Sequence, residues 1–423
     1  MIKVLHVSDI HLGSGLSHGR TNPETGLNTR LEDFIKSLRT CIDHALSEPV
    51  DLVLFGGDAF PDATPPPYIQ QAFASEFRRL GEANIPTVLL VGNHDQHSQG
   101  RGGASLSIYR TLAVPGFIVG DQITTHRITT RSGEVQVITL PWLTNSALLT
   151  RPETDGLSSG EVNNLLLQKL QPILEAEIRR LDPNTPTILL AHLMADRAKL
   201  GAERFLAVGK GFTIPVSFLI RPEFDYVALG HVHCHQNLNP NGTPPVVYPG
   251  SIERVDFSEE KEDKGYVLID LEKGNTQWEF CSLPVRPFLT INVDVSDKED
   301  PQGAIESAIA QKQIPEAVVR LKYKLRSEQI DQINNRALQK ALSFAHSYSI
   351  NPELVSQLAR PRVPELGEQV TLDPITALKT YINNRDDLQE ISEEMLDAAN
   401  KILNEESDQE IESLKSKEQL NLL

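Results

Sequence analysis

Aspartate, histidine and asparagine recur in five short segments of this 423-residue chain: Asp9-Ile10-His11, Gly57-Asp58, Gly92-Asn93-His94-Asp95, Ala191-His192 and Gly230-His231-Val232-His233. Oxygen and imidazole donors without thiolate suit Mn²⁺, Fe²⁺ or Zn²⁺. An Asp-x-His pair in an extended segment turns both side chains to one side, so Asp9 and His11 can grip one ion. Asp58 can bridge two ions through its two carboxylate oxygens, and Asn93, His192, His231 and His233 complete two shells with positions left for water and phosphate. A pair of cations roughly 3.5–4 Å apart clamps a phosphate and makes hydroxide available near neutral pH, which is phosphoester hydrolysis. His94 follows a ligand directly. Asp95 can orient its imidazole and favour the protonated form, so that His94 stabilises the charged transition state or protonates the departing alkoxide.

What must position these groups is legible just upstream of each. Lys3 to Val7, Leu52 to Phe55, Thr87 to Val91, Thr187 to Leu190 and Tyr226 to Leu229 are runs rich in Val, Leu and Ile, the pattern of buried strands. In open α/β folds the active-site crevice lies at the carboxyl ends of the strands, so the five segments are expected to converge there. Helical spacing of apolar residues marks Arg30 to Leu46 (Leu31, Phe34, Ile35, Leu38, Ile42) and Tyr68 to Leu80 (Ile69, Phe73, Phe77, Leu80). Val246 to Tyr248 and Gly265 to Leu271 read as strands, and the first domain is expected to close near Pro284.

Beyond it the pattern is strand (Phe288 to Val295), helix (Pro301 to Ala310), strand (Ala317 to Arg326) and helix (Gln329 to Ser347). In the second of these strands Val319, Leu321, Tyr323 and Leu325 alternate with Arg320, Lys322, Lys324 and Arg326, giving one apolar and one basic face. Such a face is most often simply solvated; in a nuclease it would suit a phosphate backbone. Pro352 to Thr371 is aperiodic and reads as a linker. Asp373-Pro374 then opens a helix carrying Ile375, Leu378 and Ile382, followed by a second with Leu388, Ile391, Met395, Ala399 and Ile402. Two short amphipathic helices have no core of their own and need a partner surface.

Composition narrows the classes. No apolar run approaches the length of a membrane span and no signal-peptide layout opens the chain, so a cytoplasmic location is expected. Three cysteines, Cys41, Cys234 and Cys281, are too few and scattered for a disulfide framework or a Cys-rich zinc site. The net charge of −17 runs against a nucleic-acid binder, but Tyr381 to Leu423 holds four basic against twelve acidic residues, so much of the acidity is a property of the tail. No Gly-x-x-x-x-Gly-Lys-Ser/Thr loop is present, so ATP dependence would have to come from a partner.

In their order, the five segments resemble the calcineurin-like metallophosphoesterases. Within that superfamily, Leu5-His6-Val7-Ser8-Asp9-Ile10-His11-Leu12-Gly13, Gly57-Asp58-Ala59-Phe60 with Pro65-Pro66-Pro67, Ala228 to His233, Tyr248-Pro249-Gly250-Ser251 and Asp263-Lys264-Gly265 are similar to the SbcD nucleases. Those are bacterial relatives of the eukaryotic meiotic recombination 11 nuclease. The resemblance implies a four-layer αββα core at 1–285, a small α+β DNA-capping domain at 286–350, a linker at 351–371 and a C-terminal helical pair at 372–423. It assigns one ion to Asp9, His11, Asp58 and His233, the other to Asp58, Asn93, His192 and His231, and the transition-state role to His94. It further implies two Mn²⁺, with Mg²⁺, Fe²⁺ or Zn²⁺ as alternatives, and 3′ to 5′ double-strand exonuclease and single-strand or hairpin endonuclease activity. A homodimer is implied through helices such as Tyr68 to Leu80 and Ser105 to Leu112, as is docking of the C-terminal helices on an SbcC-type SMC-like ATPase, at the nucleoid and away from membranes.

The chain departs from the pattern at Pro61, where some relatives carry a histidine three residues after the bridging aspartate, and Gly100 to Gly103 fits no motif. Two rival readings are a phosphodiesterase or phosphatase acting on a small substrate and a non-catalytic scaffold. Protein phosphatases of this superfamily follow the bridging aspartate with an Asp-Arg-Gly turn, which Ala59-Phe60-Pro61-Asp62 lacks, and a silent scaffold would be free to lose ligands.

Overall fold

The computed structural model describes residues 1–48, 50–97, 103–144, 149, 151–199, 201 and 213–355, together with 374–383 and 391–399. Strand β1 (Ile2–Val7) begins the chain and is followed by β2 (Leu52–Phe55), β3 (Thr87–Leu90) and β4 (Phe117–Gly120). A hairpin of β5 (Thr124–Thr130) and β6 (Gly133–Leu140) comes next, then β7 (Thr187–His192) and a two-stranded parallel pair, β8 (Met194–Ala195) with β9 (Thr213–Ile214). Strands β10 (Tyr226–Gly230), β11 (Gln236–Asn237), β12 (Val246–Tyr248), β13 (Gly265–Leu271) and β14 (Gln277–Ser282) close this part, and β15 (Phe288–Asp294), β16 (Val318–Arg326) and β17 (Ser347–Val355) follow.

Two six-stranded sheets result, ordered β14-β13-β1-β2-β3-β4 and β11-β12-β10-β7-β6-β5. Their central strands are parallel, which sends the ends of β1, β2 and β3 to one edge of the first sheet and those of β7 and β10 to one edge of the second. Alternation along each strand then builds three cores. Val4, Leu54, Leu90, Leu190 and Ala228 fill the space between the sheets. Leu5, Val53, Phe55 and Leu89 face helices α1 (Thr29–Ser47) and α2 (Pro67–Glu82), and Leu189, Ala191 and Leu229 face the helix Ser159–Ile178. The order helix, sheet, sheet, helix is the four-layer arrangement expected. Asn28 caps α1 by accepting from the Arg30 amide, and α2 starts on proline, in keeping with its Pro65-Pro66-Pro67 entry.

The chain divides into two compact units: Met1–Val293, Gln302–Tyr323 and Asn334–Asn351 form one, and Asp294–Pro301, Lys324–Ile333 and Pro352–Leu423 the other. In the second unit Gln329 Nε2 donates to the carbonyls of Val295 and Lys298 at 2.9 and 3.0 Å, and its Oε1 takes the Arg326 amide. The single helix expected over Gln329 to Ser347 does not form, because the backbone turns extended at Ile333 and Asn334. The segment instead holds a 3₁₀ turn (Ser327–Gln332), a short helix (Asn335–Ala341) freshly capped by Asn334, and the start of β17. β17 also takes 352–355 from the expected linker, whose remainder, 356–371, lies outside the described residues. Pro374–Asn383 is helical, with Ile382 buried, and so is 392–399; Leu388 and Ile402 lie outside the described residues.

Phe73 of α2 is fully buried, stacked on Phe77 at 4.3 Å and close to the rings of Phe55 and Phe60, the last of which sits two residues after Asp58. Phe73→Ala should lower unfolding stability by about 3–5 kcal/mol, the usual cost of an aromatic-sized cavity, read as a shift of the urea midpoint.

Candidate metal centre

The strand ends meet because two glycines let backbones touch. Gly57 has φ +100°, and a Cβ there would lie 3.0 Å from Gly92 Cα; a Cβ on Gly92 would lie 2.6 Å from the Asp58 amide nitrogen. Across the sheets, His192 Nδ1 donates to the Gly56 carbonyl at 2.7 Å and the His231 amide donates to both Asp9 oxygens at 3.0 Å. Asp9, His11, Asp58 and His231 all have left-handed backbone, at φ 52°, 46°, 59° and 103°. That conformation costs a non-glycine residue on the order of 1–3 kcal/mol and persists where surrounding bonds enforce it. Here the Asp9 amide is held by Gly57 O at 3.0 Å and the His11 amide by Asp58 O at 3.0 Å.

The side chains form linked clusters. Ligand atoms of Asp9, His11 and His233 lie within 4.8 Å of one another, as do those of Asp58, His192 and His231, and those of His11, Asp58 and His94. Asp58 Oδ2 stands between the first two, 3.6 Å from His11 Nε2 and 3.3 Å from His192 Nε2. Asn93 Oδ1 is 3.0 Å from His192 Nε2 and 2.9 Å from His231 Nδ1. The structure therefore brings all seven residues singled out as ligands, and His94, into one cluster.

The donor set suits cations. The Nε2 atoms of His11 and His233 face each other at 3.0 Å, and at most one proton fits between them. In neutral His192 the donation from Nδ1 to a carbonyl leaves Nε2 bare, yet it faces two oxygen acceptors. A divalent cation resolves both mismatches, since lone pairs then converge on positive charge. Burial pushes Asp9 up to about 6 against the pull of His192 and His233. It would raise Asp58 as well, but His192, His11 and His94 together hold that carboxyl well below its usual range. His192 rises to about 9 because Asp58 outweighs its desolvation, whereas burial and His192 hold His231 down at about 3. Imidazoles and carboxylates packed this closely cannot share one charge state.

Asp95 behaves differently from the expectation that it orients His94. Its Oδ2 accepts from the Asp58 and Gly92 amides at 2.9 Å each, and its Oδ1 from the Ala59 amide at 3.0 Å. It ties the loop after β2 to the loop after β3. His94 is held by the main chain on one side and a ligand on the other: Nδ1 donates to Pro61 O at 2.8 Å and its amide to Asp58 Oδ1 at 2.9 Å. A backbone carbonyl leaves no trace in residue types, so this partner was invisible in the sequence.

Two further groups carry no motif of their own. Trp142, just past β6, lies 4.9 Å from the His231 ring and 6.1 Å from that of His192. Glu259 accepts from His233 Nδ1 at 2.7 Å and pairs with Lys264 at 2.9 Å, both side chains fully buried. Asp263-Lys264-Gly265 had carried a resemblance without a role. Of the basic strand, Arg320 lies 4.2 Å over the Phe257 ring and Arg326 pairs with Asp297, while Lys324 is exposed. Of the Gly100 to Gly103 interval only Gly103 is described.

A family model described as calcineurin-like phosphoesterase matches residues 2–235. The chain belongs to that family. It is a phosphoester-hydrolysing enzyme with a divalent-metal centre. Relatives of this phosphoesterase include the D subunit of the SbcCD nuclease of Staphylococcus epidermidis, 27% identical over 71% of this chain and 74% of that protein. The "DNA double-strand break repair protein Mre11" of Aeropyrum pernix is 26% identical over 73% of this chain and 66% of its own length. A dimetal phosphatase of Danio rerio superposes with TM-score 0.40 at 13% identity, over 66% of this chain and 95% of that one. No helix among the described residues is long and apolar enough to cross a membrane.

Asp95→Ala would strand three buried amides, each costing about 1–3 kcal/mol. We expect a loss of at least about 3 kcal/mol in chemical denaturation together with weaker metal binding; Asp95→Asn, keeping one acceptor, should lose less. Mn²⁺ should quench part of the tryptophan emission, and Trp142→Phe but not Trp278→Phe should abolish that response.

Proposed function

We propose that this phosphoesterase is a Mn²⁺-dependent DNA nuclease, a 3′ to 5′ double-strand exonuclease and single-strand or hairpin endonuclease, working as the SbcD-type component of an ATP-dependent DNA repair complex. The observation that carries the reading is the coincidence of a full donor set at five strand ends with relatives named as SbcCD and Mre11 proteins along some 70% of the chain. Asp9, His11, Asp58 and His233 would hold one cation, and Asp58, Asn93, His192 and His231 the other. When bound, such a pair supplies Lewis acidity toward phosphoryl oxygens and a water acidic enough to deprotonate near neutral pH. The chain's own residues do the rest. His94, fixed through Nδ1 on Pro61 O, keeps Nε2 for the substrate and can give a proton to the departing 3′ or 5′ oxygen.

The 286–350 region would cap DNA, with the basic side chains of β16 toward phosphate. Since Arg320 and Arg326 are engaged within the protein, Lys322 and Lys324 would carry most of that contact. Exposed Tyr68 on α2, and Ile108 and Leu112 at the helix Ser107–Thr111, suit a homodimer contact. The C-terminal helices would dock on an SbcC-type ATPase.

Purified protein with Mn²⁺ should degrade end-labelled duplex and open hairpins, with the ATPase extending its reach. His94→Gln should lower turnover by about 10²–10⁴-fold while both cations still bind. Cleavage of bis-p-nitrophenyl phosphate but of no DNA, with or without the ATPase, would overturn the nuclease reading in favour of a small-molecule phosphodiesterase.

A further inference from the structure

We propose that Glu259 is a positioning residue for the metal centre: it holds the His233 ring by Nδ1 so that Nε2 is presented to the cation, and Lys264 fixes the carboxylate in turn. The inference rests on the metal-centre reading and concerns how one of its ligands is held. The Glu259 Oε1 atom takes His233 Nδ1 at 2.7 Å, and Oε2 takes Lys264 Nζ at 2.9 Å and the Val255 amide at 2.9 Å. Lys264 Nζ also donates to the His233 carbonyl at 3.1 Å and to Glu262 at 2.8 Å. One buried pair thus grips both the ring and the backbone of the ligand.

His233 differs in this from its neighbours. His192 and His94 rest on carbonyls, Gly56 O and Pro61 O, whereas His233 rests on a carboxylate. A charged acceptor makes a stronger bond, fixes the Nδ1–H tautomer and makes Nε2 a better donor to a cation. The mount is itself rigid. Glu259 ends a 3₁₀ turn, Phe257–Glu259, capped by Asp256, whose side chain accepts from the Ser258 amide at 2.6 Å. The Phe257 ring packs edge-on against Phe288 at 4.9 Å and carries the Arg320 guanidinium at 4.2 Å. A ligand-bearing loop and a strand far along the chain therefore meet at one turn.

The test is calorimetric titration of Mn²⁺ into metal-free wild-type, Glu259→Gln and Glu134→Gln proteins, with far-UV circular dichroism and thermal unfolding of each metal-free form. Glu259→Gln keeps the size of the side chain and loses its charge. We expect one of the two binding steps to weaken about 10–100-fold, the usual effect of removing a ligand's orienting partner, with the other step within about twofold and the metal-free fold unchanged. Glu134→Gln, an exposed position at the start of β6, should bind as wild type. A folded Glu259→Gln protein with wild-type affinity at both steps would overturn the proposal while leaving the metal centre standing; wild-type protein that binds no Mn²⁺ would overturn both. If Glu259→Gln does not fold, ¹⁵N NMR of histidine in the wild-type protein decides, with the His233 signal identified by its absence from His233→Asn. The Nδ1–H tautomer is expected, and the Nε2–H tautomer would refute the mount.

Discussion

Two carboxylates buried among imidazoles, where the carboxyl ends of two sheets meet, form the constraint on which this structure turns. Asp9 and Asp58 are almost wholly withdrawn from water, and nearly every neighbour able to balance them is a histidine whose own burial opposes protonation. Desolvation of that many groups is costly unless a strong positive charge stands among them. The pull of His192 and Asp58 on each other drives the His192 imidazole up, while burial drives those of His11 and His231 down. A divalent ion removes that asymmetry.

Placing such a cluster demands more of the backbone than of the side chains. Left-handed residues at Asp9, His11, Asp58 and His231 turn each chain sharply as it leaves its strand, and the cross-sheet bonds from His192 and His231 offset that strain. The Asp95 carboxylate serves the same end, pinning two loops by their amides. Deep apolar cores on both faces of each sheet supply the rigidity that makes the geometry reproducible.

The strands that end in ligands were legible because burial on both faces writes an uninterrupted Val, Leu and Ile run, and because the residues after each run are of types that bind metals. Helices α1 and α2 were legible through the helical spacing of their apolar residues. The features that sequence could not reveal share a physical trait: their meaning is set by a distant contact. Glu259 looks like one acid in a charged loop until His233 and Lys264 close around it. Asp95 follows His94 and so suggests an orienting partner for it, whereas amides brought up by β2 claim its oxygens. β17 alternates Tyr348, Ile350 and Leu354 with polar residues, but Pro352 interrupts the run and nearly every side chain is exposed, so it does not stand out as a strand, and Gln329, expected to open a helix, turns its amide to the main chain instead.

Position 61 joins these points. Resemblance singles it out because proline stands where some relatives have histidine, which raises the question of what the centre loses. The residue works here through its carbonyl oxygen, 2.8 Å from His94 Nδ1, and every amino acid has that atom. Proline adds a fixed φ to the turn after Phe60, whose ring is buried against Phe73, so the carbonyl is aimed by packing and not by side-chain chemistry. The orientation of the proposed proton donor is therefore separable from the identity of the side chain at 61, and substitution there can alter what the site admits without disturbing how His94 is held.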